Sequence, residues 1–189
     1  RPPPSFCNST LTTMPTTNQD FDAEALYRSL LEQVRAGLGQ VPDAAIVGIH
    51  SGGAWLAERL AADLDLKARL GFIDVSFYRD DYARKGLHPD VKPTHIGFNV
   101  DGATILLVDD VLYTGRTTRA AINVLFDYGR PACIRLAALA DRGGRELPVA
   151  PDYVGVTTTL ADKQLLSLAR DASGQLSLTI EDDNAETVQ

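Results

Sequence analysis

The chain has 189 residues, with 18 Lys and Arg against 25 Asp and Glu, for a formal net charge of −7. That length fits one globular domain with a sizeable core, and 44% hydrophobic with 23% charged residues matches ordinary globular composition, not disorder. The acidic balance excludes a protein that coats nucleic acid by bulk charge, although not a local basic patch, and no apolar run approaches the roughly 18–20 residues of a membrane-spanning helix.

Residues 1–13 have no apolar periodicity, precede Met14 and lack the apolar core of a signal peptide. They read as an upstream or non-native extension, and residues 14–180 as the domain. Asp22 to Leu38 carries Leu26, Leu30, Val34 and Leu38 on one stripe, which predicts an amphipathic helix with acids at its start. Ala45 to Ile49 reads as a buried strand broken by Ser51-Gly52-Gly53, and Ala54 to Leu64 as a second helix. Trp55 on that helix is expected in the core.

Gly71 to Tyr78 alternates like a strand. Residues 79–94 are polar, with Gly86, Pro89 and Pro93, and read as a long loop of the kind that is functional in compact domains. His95 to Val100 suits a returning strand. Thr104 to Val108 is a continuous apolar run typical of a central strand. Thr117 to Tyr128 predicts a helix closed by Gly129, and Cys133 to Ala140 and Tyr153 to Thr159 two more strands. Residues 181–189 read as a solvated acidic tail.

Strands alternating with helices predict an α/β fold: a mostly parallel central sheet with helices on both faces. Ligands of such sheets bind beyond the carboxyl ends of the strands. Cys7 and Cys133 form neither a disulfide framework nor a metal cluster. Cys133 is expected to be a small buried hydrophobe, and His50 and His95 to be structural. The sparse cysteines and the lack of a signal-peptide pattern lead to the expectation of a cytoplasmic protein.

The most informative stretch is Thr104-Ile-Leu-Leu-Val-Asp109-Asp110-Val-Leu112-Tyr113-Thr114-Gly115-Arg116-Thr117-Thr118. A buried strand delivers two adjacent carboxylates to a short hydroxyl-rich loop, and a helix follows. The amino end of that helix is an anion site, which Gly115 lets a ligand approach closely. Carboxylates beside a phosphate site make sense for a sugar phosphate: they accept hydrogen bonds from sugar hydroxyls and help hold Mg²⁺. The chain has neither the P-loop nor the Gly-x-Gly-x-x-Gly pattern.

This string resembles the phosphoribosyl pyrophosphate (PRPP) motif of type I phosphoribosyltransferases, and Val108 to Thr117 is similar to that of the PyrR family. These are pyrimidine-operon regulators with uracil phosphoribosyltransferase activity. Asp74 to Asp81 resembles the family's approach to its flexible loop. Asp141-Arg142-Gly143-Gly144-Arg145-Glu146-Leu147-Pro148, with Asp152 to Gly155 after it, resembles its segment beyond the core. The similarity runs from about Ile46 to Thr159. Tyr113 stands where purine transferases carry a carboxylate, and dedicated uracil transferases have a Pro in place of the second acid, so PyrR is the better match.

The resemblance implies a type I phosphoribosyltransferase fold and the reaction uracil + PRPP → UMP + pyrophosphate, with Mg²⁺. Asp109 and Asp110 would meet the ribose hydroxyls and the metal. Leu112, Tyr113, Thr114, Gly115, Arg116 and Thr117 would cradle the 5-phosphate. Ser51, Gly52 and Gly53 would meet pyrophosphate. Arg79, first among the cations of the 79–94 loop, would close over PRPP, and Asp141, Arg142 and Gly143 would lie over uracil. Two positions depart from the family pattern. Gly52 replaces a cation, which puts leaving-group stabilisation in question, and Gly144 stands where RNA-binding members commonly have His. RNA binding is therefore expected to be weak, with UMP or UTP as product or effector. A nucleotide-binding regulator with little catalysis is a further class. The resemblance also implies a homodimer or homotetramer.

Overall fold

The structure, a computed structural model, describes residues 21–38, 41–75, 93–161 and 163–182. Its main sheet has six strands in the order β3-β2-β1-β4-β5-β6. These are β1 (Ala44–Ile49), β2 (Leu70–Ile73), β3 (His95–Ile96), β4 (Thr104–Leu112), β5 (Cys133–Asp141) and β6 (Tyr153–Thr157). All neighbours are parallel except β2 and β3. The helices are α1 (Ala23–Leu38), α2 (Gly52–Asp63) and α3 (Arg116–Tyr128).

β1 and β4 are buried along almost their whole length, as the apolar runs of both strands require. Alternate residues of each strand feed opposite cores. Ile46, Leu106 and Val108 pack with Tyr27, Leu30 and Val34 of α1 and Leu56 and Leu60 of α2. Val47, Ile105 and Leu107 pack with Ala121 and Leu125 of α3 on the other face. The α/β architecture with a covered, mostly parallel sheet is therefore as the sequence predicts.

From β1 the chain passes through α2 to β2 on one side, and from β4 through α3 to β5 on the other. The strand order thus reverses direction between β1 and β4, and a crevice opens at the carboxyl ends of these two strands.

Several elements differ from the sequence reading. The helices α2 and α3 start at Gly52 and Arg116, slightly earlier than the periodicity suggests. β4 extends through both acids to Leu112, because β5 continues to pair with it as far as Leu112↔Asp141. The returning strand is only the two-residue β3. A hairpin of β7 (Gln164–Arg170) and β8 (Leu176–Asp182) stands where no strand is predicted, although Leu176-Ser-Leu-Thr-Ile180 alternates. β8 takes Glu181 and Asp182 into pairing with Leu165 and Gln164, so the first two residues of the expected tail belong to a strand.

Cys133 is exposed, not buried, because it opens β5 at the amino-end rim of the sheet. Trp55 is half-buried at the core's edge, with the Arg170 guanidinium 5.1 Å from its ring centroid. The expected extension at 1–13 and the 79–94 loop up to residue 92 lie outside the described residues, as does the rest of the tail. No helix among the described residues is long and apolar enough to cross a membrane.

The hairpin and both helices of its face meet at Glu24. Its carboxylate takes two 2.8 Å hydrogen bonds from Arg59 of α2 and one of 2.9 Å from the Leu176 amide of β8. The Arg59 hydrogen bond holds Glu24 below its ordinary value of 4.5. A carboxylate whose pKa falls on folding stabilises the fold above the unfolded value and loses that contribution as pH drops through the folded one. Glu24→Gln should lower unfolding free energy at pH 7 by about 1–3 kcal/mol. In urea melts across pH, the gap to wild type should close progressively below pH 4.5.

Candidate functional site

The crevice is built from two strand ends and two helix starts. Asp109 and Asp110 lie at the end of β4 with only 3% and 9% of their surface exposed. The Asp109 carboxylate accepts the Asp110 amide at 3.0 Å, which ties the first acid to the strand backbone. Asp109 pairs in register with Ala138 and Leu112 with Asp141, so β5 carries its own acid to the same edge.

Beyond β4 the chain turns sharply into α3. Gly115 is the residue before the helix and has φ +91°, a left-handed conformation that favours glycine. Gly115 has no side chain with which to cap this helix. The first-turn N–H groups of a helix have no intrahelical acceptor, so Thr114 to Thr118 surround an amino end suited to an anion. Thr114 is buried at 4% and its hydroxyl accepts the Arg116 amide at 3.3 Å. Thr118 is buried at 1%, and its hydroxyl has no hydrogen-bond partner among the described residues. Tyr113 is exposed.

The 141–149 segment folds over this loop. Arg142 donates its amide to Leu112 O at 3.0 Å, and Glu146 and Leu147 donate theirs to Thr114 O at 3.0 and 3.2 Å. Arg145 is the tie that sequence reasoning missed. Its guanidinium bonds to Asp141 at 2.7 Å, to Val149 O at 2.9 Å and to the carbonyls of Tyr113 and Gly143. Its spacing of four from Asp141 was the only signal in the sequence. Arg116 and Glu146 form an ion pair across the same junction. The Arg142 guanidinium stacks 4.0 Å from the centroid of the Tyr113 ring. Gly143 and Gly144 have φ of +71° and +70°. A Cβ at Gly144 would fall 2.4 Å from that ring, so glycine admits the stack.

The second helix start faces the acids. The His50–Ser51 peptide between β1 and α2 is cis. Ser51 is exposed, while Gly52 and Gly53 are buried. α2 has neither a side-chain cap nor an acid in its first turn. A Cβ at Gly53 would lie 2.4 Å from Val108 O, and one at Gly48 would lie 2.6 Å from the Ala54 Cα. Glycine at these positions lets the amino end of α2 rest directly on β1 and β4.

The structure thus brings together Asp109, Asp110, the 112–117 loop and the 141–143 segment, with the Ser51–Gly53 turn against Asp110. Arg79 lies outside the described residues. Among the described residues no group of three or more His, Cys, Asp or Glu could hold a metal. The Asp109–Asp110 pair is still the donor set that Mg²⁺ takes when its remaining ligands are water and substrate oxygens.

A model of the phosphoribosyl transferase domain matches residues 19–170. The chain is 54% identical to the Bifunctional protein PyrR of Ralstonia nicotianae over 160 residues, covering 84% of this chain and 91% of that one. It belongs to the PyrR family of phosphoribosyltransferases. A PyrR of Nitrosococcus oceani is 47% identical over 77% of this chain and 84% of its own. Among solved structures, the purine phosphoribosyltransferase of Pyrococcus horikoshii superposes with a TM-score of 0.54 at 30% identity, covering 73% of this chain and 83% of that one. A hypoxanthine-guanine-xanthine phosphoribosyltransferase reaches 0.61 at 16% identity, covering 90% and 97%, and shares the fold.

Because a methyl at Gly53 would press on a strand carbonyl, Gly53→Ala should lower stability by about 1–3 kcal/mol. Thermal and urea unfolding measure this directly, and an unchanged melting curve would mean that the turn tolerates a Cβ.

Proposed function

We propose that this PyrR-family protein is a uracil phosphoribosyltransferase, converting uracil and PRPP to UMP and pyrophosphate. The observation that carries the reading is the buried Asp109–Asp110 pair beside the amino end of α3. Acids suit vicinal ribose hydroxyls, and a helix start suits the 5-phosphate a sugar-length away.

In this reading the backbone of Leu112 to Thr117 holds the phosphate, with Arg116 at its outer edge. Asp109 and Asp110 fix the ribose. The Ser51–Gly53 turn receives pyrophosphate as the bond from C1′ to the leaving oxygen breaks. Asp141, Arg142 and Gly143 lie over uracil, whose N1 forms the new bond to C1′ and whose N1 proton leaves with the pyrophosphate. Catalysis is mainly positioning, with charge stabilisation at the two helix starts. Mg²⁺ would be held by Asp109, Asp110 and PRPP oxygens, and would offset the charge of the leaving group. Arg79 is proposed to act from the loop that closes over PRPP.

The absence of a carboxylate at Tyr113 favours a pyrimidine over a purine base. Gly52 supports the second reading, a UMP- or UTP-binding regulator with little catalysis, since no cation stands in the pyrophosphate turn. RNA binding is proposed to be weak. Arg145 and Arg142 are committed within the site, Arg35 donates to Asp63 O at 3.1 Å, and Arg170 pairs with Glu58 at 2.8 Å. Arg28 lies exposed on α1, and these five arginines are scattered, where an RNA stem-loop needs clustered cations. A cytoplasmic homodimer or homotetramer completes the proposal.

The test is turnover with PRPP, Mg²⁺ and each of uracil, orotate, hypoxanthine and xanthine. Uracil should be the substrate used, and Asp110→Asn should reduce turnover about 100-fold or more. Faster turnover of a purine would refute the base assignment. Melting shifts with UMP but no turnover of any base would favour the regulator. In low-salt gel shifts a pyrimidine-operon leader should bind weakly, and tight UMP-stimulated binding would contradict this.

A further inference from the structure

Arg145 lies four residues past the end of β5, and its guanidinium reaches acceptors on both halves of the site. Nη2 donates to Asp141 Oδ2 at 2.7 Å, Nε to Val149 O at 2.9 Å, and Nη1 to Gly143 O at 3.3 Å and to Tyr113 O. Asp141 and Gly143 belong to the segment assigned above to the base, and Tyr113 to the loop assigned to the phosphate. A planar guanidinium can serve four acceptors in fixed directions, whereas a lysine ammonium is a point charge on a flexible stem.

Asp141 is engaged at both oxygens. Oδ1 accepts the Gly143 amide at 2.9 Å, and Oδ2 accepts from Arg145. Its side chain is only 14% exposed. A carboxylate held in this way shapes the turn through Gly143, whose φ is +71°, and faces its own segment.

We propose that Arg145 is a positioning residue that fixes the base segment in register with the phosphate loop, and that Asp141 acts through Arg145 and not on uracil itself. This rests on the reading above, in which the 112–117 loop seats the phosphate and the 141–143 segment covers the base. The pair then matters most for a ligand that spans both seats at once.

The measurement is calorimetric affinity for UMP and, by displacement of it, for ribose 5-phosphate, with melting temperatures alongside. UMP reaches both seats, whereas ribose 5-phosphate stops short of the base. Arg145→Met should shrink the preference for UMP over ribose 5-phosphate about tenfold or more, the scale of losing hydrogen bonds to a charged group. Equal weakening of both ligands, or no change in either, overturns the proposal, because general damage acts equally on the ribose phosphate they share. Wild type that binds both ligands equally well, or binds no UMP, removes the reading of the two seats instead, and does so before any variant is compared.

A double-variant comparison separates support from contact. Asp141→Asn should reduce the same preference in the wild-type background and add nothing to it in Arg145→Met. A further drop as large as that of the single variant would mean that Asp141 meets the base directly, and overturns its assignment as a support. If Arg145→Met does not fold, Arg145→Lys keeps the charge without the fork and takes its place in both comparisons, with the same expected and contrary results.

Discussion

The close approach of α2 to the ends of β1 and β4 is the constraint on which the rest of the site depends. Gly48 and Gly53 allow it, because a side chain at either would meet backbone within 2.6 Å. With the helix seated there, its amino end opens onto the carboxyl edge of the sheet beside Asp110. The same edge receives the amino end of α3, one strand over in the sheet. Two helix starts therefore converge at the point where the strand order reverses, with the two acids of β4 between them. Bulkier residues at 48 in β1 and 53 in α2 would hold the helix off the sheet and separate these half-sites.

The electrostatics follow from this arrangement. A protein with a net charge of −7 is a poor host for a polyanion on average. Over the length of a sugar phosphate, the local field outweighs the average. Partial positive charge at each helix start falls off within about one turn, so it acts on a ligand in the crevice and hardly beyond it. The same charge count has more force for an RNA stem-loop, whose phosphates extend far past any helix end. Two arginines beside the site are engaged within it: Arg145 holds the 141–149 segment onto the 112–114 loop, and Arg142 lies on Tyr113.

The strand–acid–acid–loop–helix string was legible because one short stretch contains every part of it. Periodicity located the three described α-helices to within two residues, and the starts of β1 and β4 to within one. What escaped depends on partners distant in sequence. β4 runs on to Leu112 because β5 is there to pair with it. The β7–β8 hairpin is stabilised by packing on α1 and α2 and by Glu24 and Glu58, far from its own sequence. Cys133 looks apolar in its run, yet strand pairing puts it at the rim. Arg145 looks like one more surface cation until the fold sets three carbonyls and Asp141 around it. The crowding of Gly52 by Asp110 joins residues 58 positions apart and has no sequence signature at all.

The central claim is that the ends of β1 and β4 form one seat for a ribose 5-phosphate. A crystal structure with UMP bound tests it most directly. The account predicts the phosphate on the backbone amides of residues 113–117, with the ribose hydroxyls directed to Asp109 and Asp110 and the base beneath Asp141 to Gly143. A UMP phosphate bound at the Ser51–Gly53 turn instead, or UMP bound away from this crevice, would contradict it.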